Sequence, residues 1–357
     1  MTVVYILIAI LIFGVLIAVH ELGHFLAAKS CGVRVNEFSI GMGPCIYQRQ
    51  KGETMYSLRA LPIGGFCAME GEEEDSDDSR SLTKQGFWKQ LWIFAAGALM
   101  NLVIGFLIVL VLYSGVGGFY TTKIQGFAPE FQTRSENNLQ TGDQLYSIDG
   151  KRVLLFSDLN LLFSLGNGKN FDLVVLRDGA KVSLKDYPLV LKKYTAADGK
   201  TTYKGYGLYF GDVVKATPLV KLQYAGLNTV DFARIVWLSL EMLVSGQATL
   251  NDVSGPLGIV TTITEVGNSS ASLRDALENI LYLGALIAVN LCVMNLLPIP
   301  ALDGGKIFFL LIDTVTMALF RRKVPSKYEA AVNMAGFVLL MGFMLVVTFH
   351  DIWKLIG

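Results

Sequence analysis

Four stretches of this chain contain no aspartate, glutamate, lysine or arginine: residues 2–19, 91–122, 279–302 and 330–349. Each is apolar enough to cross a hydrocarbon core, which takes roughly 20 residues of helix. In lipid the backbone must satisfy its own N–H and C=O groups, so such stretches fold as helices. The sequence therefore predicts a polytopic α-helical membrane protein with four transmembrane helices. The formal net charge is zero and the basic residues are dispersed, which recommends no nucleic-acid partner. Cys31, Cys45, Cys67 and Cys292 lack the paired spacing of a disulfide framework or a cysteine zinc site.

Lysine and arginine in short loops mark the cytoplasmic side of a membrane protein. Lys29, Arg34, Arg49, Lys51 and Arg59 follow the first stretch, and Arg321, Arg322, Lys323 and Lys327 precede the last. Both loops are expected in the cytoplasm, with the termini and the long segment over 116–278 outside. The first stretch lacks a positively charged start and a small-residue cleavage site, so it reads as a retained helix and not a secretory signal. Trp88, Lys89 and Trp92 stand where an interfacial anchor for the second helix belongs.

The expected order is a first transmembrane helix over 1–30, a β-hairpin region and acidic cytoplasmic loop over 31–90, and a second transmembrane helix over 91–115. A compact β-rich domain follows over 116–195, then a segment over 196–278 containing an amphipathic helix near 216–247. The third transmembrane helix is expected over 279–306, an interfacial or re-entrant helix and loop over 307–329, and the fourth transmembrane helix over 330–357. Residues 33–70 alternate like strands, either an ordinary cytoplasmic hairpin or a sheet at membrane depth shielded by protein. EGEEEDSDD, with seven acids in nine positions over 70–78, reads as a solvated, mobile loop.

Chemistry enters where the first apolar stretch runs into HELGH, residues 20–24. Spacing by four puts His20 and His24 on one helix face, where both imidazoles reach one zinc ion. Glu21, one position on, reaches a water in the open coordination position and serves as general base. Ionisable groups at membrane depth cost roughly 2.5 kcal/mol or more each, so packing alone would not select them. A third ligand is owed. His350 falls at the far end of the fourth helix, whereas Asp303, in NLLPIPALDGGK, falls at the same side and depth as the histidines. Pro298 and Pro300 should break the helix there, and Gly304 and Gly305 permit a tight turn. Asn295 either binds substrate or the developing oxyanion, or bonds a neighbouring helix. Gly64 and Gly65 either admit a close backbone or mark a turn.

With HELGH at 20–24, ALPIGGF at 60–66, SGPLGI at 254–259 and NLLPIPALDGG at 295–305, the sequence resembles the site-2 protease family of intramembrane zinc metalloproteases. The order of motifs is similar to its PDZ-containing bacterial branch, the RseP and RasP type. The resemblance implies four membrane helices, a membrane-associated β-hairpin region on the cytoplasmic side, and an inserted extracytoplasmic PDZ domain containing GDQLYSIDG. It implies Zn2+ held by His20, His24 and Asp303 with Glu21 as general base, and substrate held in extended form by Gly64, Gly65, Phe66, Asn295, Pro298 and Pro300. The implied partners are membrane lipid and single-span membrane proteins already shortened by a site-1 protease, such as anti-sigma factors or remnant signal peptides. The implied location is the bacterial cytoplasmic membrane. One departure is APEFQTRSENNLQ, which replaces the Gly-rich stretch typical of such PDZ domains. Two other classes compete with a protease. A scaffold that only captures peptides has no need of Glu21, and a metal transporter would show an inverted repeat, which this chain lacks.

Overall fold

The computed structural model describes residues 2–72, 76–128, 131, 138–195, 202–249, 252–322 and 325–356. The chain divides into two compact units, Met1–Val109 with Phe232–Gly357, and Leu110–Asp231. Among the described residues, four helices are long and apolar enough to cross a membrane.

The larger unit opens with α1 (Thr2–Cys31), which continues without interruption through HELGH. Strands β1 (Val35–Lys51) and β2 (Thr54–Met69) follow, then α2 (Phe87–Ser114). The first part of β1 is flanked by β2 on two sides, since Phe38 registers with both Cys67 and Tyr56. The turn between the strands is tied down by Glu53, which accepts from Lys29 and from Arg80. Those two cations hold its carboxyl down to about 2. Trp88 and Trp92 are exposed at the start of α2, and Lys89 donates to the carbonyl of Cys31 at 3.1 Å. Ala27, Val33, Cys67, Met69, Ile93 and Phe94 form one core, with Ile307 and Leu310 packed on it. This core fixes the end of α1, the sheet and the start of α2 around a common centre.

The smaller unit is β-rich. Its strands are β3 (Gly118–Tyr120), β4 (Ile124–Phe127), β5 (Gln144–Ile148) and β6 (Lys151–Arg152), then α3 (Asp158–Ser164), β7 (Asn170–Arg177) and β8 (Ala180–Pro188). They continue as β9 (Lys192–Thr195), β10 (Thr202–Gly205), β11 (Leu208–Phe210) and β12 (Val213–Lys215). The main sheet has the order β6-β5-β7-β8 and closes over Leu145, Ile148, Phe163, Phe171 and Leu173. The unit extends past the expected end at residue 195, because β11 pairs with β4 and β12 with β3. Most of the APEFQTRSENNLQ stretch, 129–130 and 132–137, lies outside the described residues.

Helix α4 (Pro218–Val244) departs from a surface-lying amphipathic helix in one respect. Its polar residues Asn228, Thr229 and Asp231 are buried. Beyond it comes α5 (Pro256–Ser269), a separate helix within the segment expected over 196–278, and then α6 (Leu273–Asn295). Tyr5, Ala9 and Leu16 of α1 pack with Ile263 of α5 and Ala276, Ile280 and Ile287 of α6.

The third apolar stretch is shorter than expected. α6 ends at Asn295, and Asp303 does not close that helix but opens the next, α7 (Asp303–Phe320), which joins the LDGG motif to the expected interfacial helix in one 18-residue element. Between them Ala301 sits at φ 71, in the left-handed region. Gly304 and Gly305 serve close packing here and not positive φ. A Cβ on Gly304 would strike the backbone of Leu296 and Leu297, and one on Gly305 that of Ile299 and Pro300.

The last helix, α8 (Ser326–Ile356), explains SGPLGI. Pro256 occupies the first turn of α5, the N-cap Gly255 offers no side chain, and Asp351 of α8 accepts from the Gly258 amide at 2.8 Å. A Cβ on Gly255 would stand 2.8 Å from Asp351 Oδ2 and 2.9 Å from Val347, so glycine is what admits the cap. Asp351→Ala is expected to lower stability by about 1–2 kcal/mol, as for loss of a helix cap. Thermal melting in detergent checks this, with Asp351→Asn expected to fall between the two.

Candidate metal centre

Helix α1 presents His20 and His24 on one face, and the first turn of α7 presents Asp303 to the same point. The two Nε2 atoms are 3.2 Å apart, and each is 3.2 Å from Asp303 Oδ2. Among the described residues this is the one group of three metal-binding side chains that converges. Three donors at roughly 2.0–2.1 Å from one tetrahedral ion stand about 3.3 Å apart, so the triangle has the right size for zinc.

Its chemistry also asks for a cation. His24 Nδ1 donates to the Ile93 carbonyl at 2.8 Å. A carbonyl only accepts, so Nδ1 carries a proton, and in its neutral form His24 turns a lone pair at Nε2 toward Asp303. Asp303 Oδ2 is itself buried without a hydrogen-bond donor. Buried acceptors facing one another are stabilised by a positive charge between them, which a metal ion would supply.

The fit of α1 on α2 sets this geometry. A Cβ on Gly23 would collide with the Ala96 carbonyl, and one on Gly97 with the His24 imidazole. Small residues thus let the two helices approach closely, and the ring reaches a backbone acceptor. Farther along α2, Asn101 is 1% exposed, and its amide nitrogen is 3.4 Å from His20 Nδ1. Asn101 belongs to no motif, and its one signal in the sequence is a lone amide in an apolar run, four residues beyond Gly97.

His20, Glu21, His24 and Asp303 line one cavity of about 1020 Å3, together with Phe66 and Cys67 of β2. Gly65 lies against Glu21: a Cβ there would be 3.3 Å from Glu21 Cγ and 2.9 Å from the Ser39 carbonyl. Gly64 has φ +96, a conformation that favours glycine. Of the other expected substrate-binding residues, half-buried Asn295 ends α6, Pro298 is exposed, and Pro300 packs under Gly336 of α8. These three are not among the described residues that line the cavity.

The acidic stretch is more engaged than a solvated, mobile loop. Glu72 accepts from Lys306 Nζ at 2.6 Å at the cavity wall, Glu70 accepts from Asn36 and Ser76, and Asp78 pairs with Arg34. Its residues 73–75 lie outside the described residues. His350, set aside as a ligand from the sequence, is at the α5 end of α8 and belongs to no metal-binding group among the described residues.

Comparison with known proteins gives the same chemistry. The model of peptidase family M50 matches residues 8–343. A candidate zinc metalloprotease of Clostridium perfringens is 36% identical over 349 residues, covering 98% of each chain. The zinc metalloprotease RasP of Bacillus licheniformis is 28% identical over 427 aligned residues, covering 97% of this chain and 98% of its own. The regulator of sigma-W protease RasP of Bacillus subtilis is 27% identical, with 97% of each chain covered. With its four apolar helices and a match over nearly its whole length, this chain belongs to peptidase family M50, the site-2 protease family, and is a zinc-dependent membrane metalloprotease.

Proposed function

We propose that this protein cleaves single-span membrane proteins within the bilayer, after a first protease has shortened them on the outer side, and releases the inner fragment to the cytoplasm. The observation that carries the reading is the 3.2 Å triangle of His20, His24 and Asp303 beside Glu21, in the second half of a largely apolar 30-residue helix. A hydrolytic centre at that depth suits a bond that is itself in the membrane.

When bound, zinc supplies a Lewis acid for the scissile carbonyl and the attacking water. Nε2 of His20, Nε2 of His24 and Oδ2 of Asp303 would hold it. The Glu21 carboxylate takes a proton from the attacking water and delivers it to the leaving amide nitrogen. A helical substrate hides its peptide bonds, so the segment to be cut must unwind, and pairing along a strand edge replaces the hydrogen bonds it loses. Gly64, Gly65 and Phe66 of β2 provide that edge, since Gly65 brings the strand backbone against Glu21. Asn295, Pro298 and Pro300 serve at the break after α6, where an extended segment would enter.

In this reading the enzyme occupies a bacterial cytoplasmic membrane, with the termini and the smaller unit outside and the zinc site toward the cytoplasm. The loop charges around Lys29–Arg59 and Arg321–Lys327 support that orientation. The smaller unit is a PDZ domain that rejects substrates with bulky outer parts. The name of the Bacillus subtilis relative, regulator of sigma-W protease, fits anti-sigma factors as one substrate class, with remnant signal peptides as a second.

Purified protein in detergent is expected to cut a model single-span substrate, to stop when zinc is chelated, and to resume when zinc is returned in excess. Undiminished cleavage by protein shown to be metal-free would refute the reading. Substrate binding without cleavage by the zinc-loaded protein would favour a peptide-capturing scaffold instead.

A further inference from the structure

The two imidazoles of the centre are supported unequally. His24 gives its Nδ1 proton to the Ile93 carbonyl at 2.8 Å. His20 Nδ1 faces the Asn101 side chain, with the amide nitrogen 3.4 Å away, while Asn101 Oδ1 is buried without a hydrogen-bond partner. A donor aimed at Nδ1 would leave neutral His20 protonated at Nε2, the atom that faces Asp303 and His24. Both defects have one remedy. A half-turn of the amide about Cβ–Cγ exchanges its nearly isosteric oxygen and nitrogen, so that Oδ1 accepts from Nδ1–H and the orphaned oxygen gains a partner.

We propose that Asn101 is the positioning residue of His20: its side-chain oxygen accepts the Nδ1 proton and thereby keeps the Nε2 lone pair for the metal. The inference rests on the zinc-site reading above. Its support is also topological. Ile93, Gly97 and Asn101 recur at intervals of four and share one face of α2. His24 meets Ile93 and Gly97, whereas His20, one turn back on α1, meets Asn101, one turn on along α2. One face of α2 thus supplies both outer acceptors, the first from its backbone and the second from a side chain. A buried amide oxygen left unpaired is costly, so an asparagine in this apolar helix needs such a partner.

The test is zinc affinity, measured by competition with a chromophoric chelator on full-length protein in detergent. Asn101→Leu, similar in volume but unable to accept, is expected to bind zinc roughly 10–100-fold more weakly than wild type. Asn101→Asp, which accepts but cannot donate, is expected to stay within a few-fold of wild type. Asn101→Ala reads the same loss with less bulk, and the zinc-free melting temperature of each variant shows that it is folded. Cobalt-loaded protein adds a ligand-field spectrum, which should change for Leu and Ala and not for Asp. Folded Leu and Ala variants with wild-type affinity would overturn the proposal, as would a folded Asp variant as weak as Leu. Wild-type protein that bound no zinc, or bound it equally after His20→Ala, would instead sink the zinc-site reading.

Discussion

Glu21→Gln is expected to slow cleavage of a single-span substrate by roughly 10²–10⁴-fold while zinc content and substrate binding stay near wild type, because it removes the proton acceptor and little else. Glutamine has nearly the same volume, so the contact with Gly65 survives. The histidines on either side of the turn keep their partners on α2 and α7. Single-turnover cleavage with parallel elemental analysis separates the outcomes. Loss of rate with zinc retained assigns Glu21 to proton transfer. Loss of both assigns it to holding the metal, and a rate within tenfold of wild type removes it from the chemistry.

Asp303→Ala is the second large effect, and it acts on the metal first. Its Oδ2 is 3.2 Å from both Nε2 atoms and is the one anionic donor of the three. If total zinc binding of about 10–16 kcal/mol is shared among four ligands, losing one costs about 3 kcal/mol, or roughly 100-fold in affinity. Stability supplies a check independent of cleavage. A ligand that binds only the folded state raises stability in proportion to the logarithm of its concentration over Kd. Wild type is therefore expected to melt higher with zinc than without, and Asp303→Ala to lose most of that rise. Without zinc the two should melt close together, since removing a carboxylate that faces lone pairs offsets the lost charge at the start of α7. A zinc-dependent rise undiminished in the variant would rule Asp303 out as a ligand.

The membrane helices and the chemical centre were legible because their signals are local. Charge-free runs of about 20 residues have one stable form in lipid, and α1, α2, α6 and α8 carry those runs. HELGH needs only helical periodicity to align its histidines. Asp303 was reachable by elimination, because a third ligand was owed and one acid fell at the right depth.

Other features were legible in kind but not in place. PIP marked a break, yet the break comes earlier than expected, and Asp303 starts a helix instead of ending one. Both placements bring the carboxylate near the histidines, so proline and glycine spacing could not choose between them. The glycines of LDGG read as turn formers, whereas their role is contact with the Leu296–Pro300 backbone. That is a tertiary property, invisible to local conformational preference. The acidic stretch read as solvated because like charges usually are, and only the fold brings Lys306 to Glu72.

By itself the sequence determined a helical membrane protein, a His–Glu–His cluster at membrane depth and a distant aspartate available to complete it. Each follows from spacing along one element or from the solvent an apolar run requires. Only the tertiary structure decided which surfaces meet: Gly97 under the His24 ring, Asn101 beside His20, Gly65 against Glu21, and Asp351 capping α5. These contacts depend on two helices, or a helix and a strand, crossing at a particular point, and a crossing point is set by the shapes of both partners together.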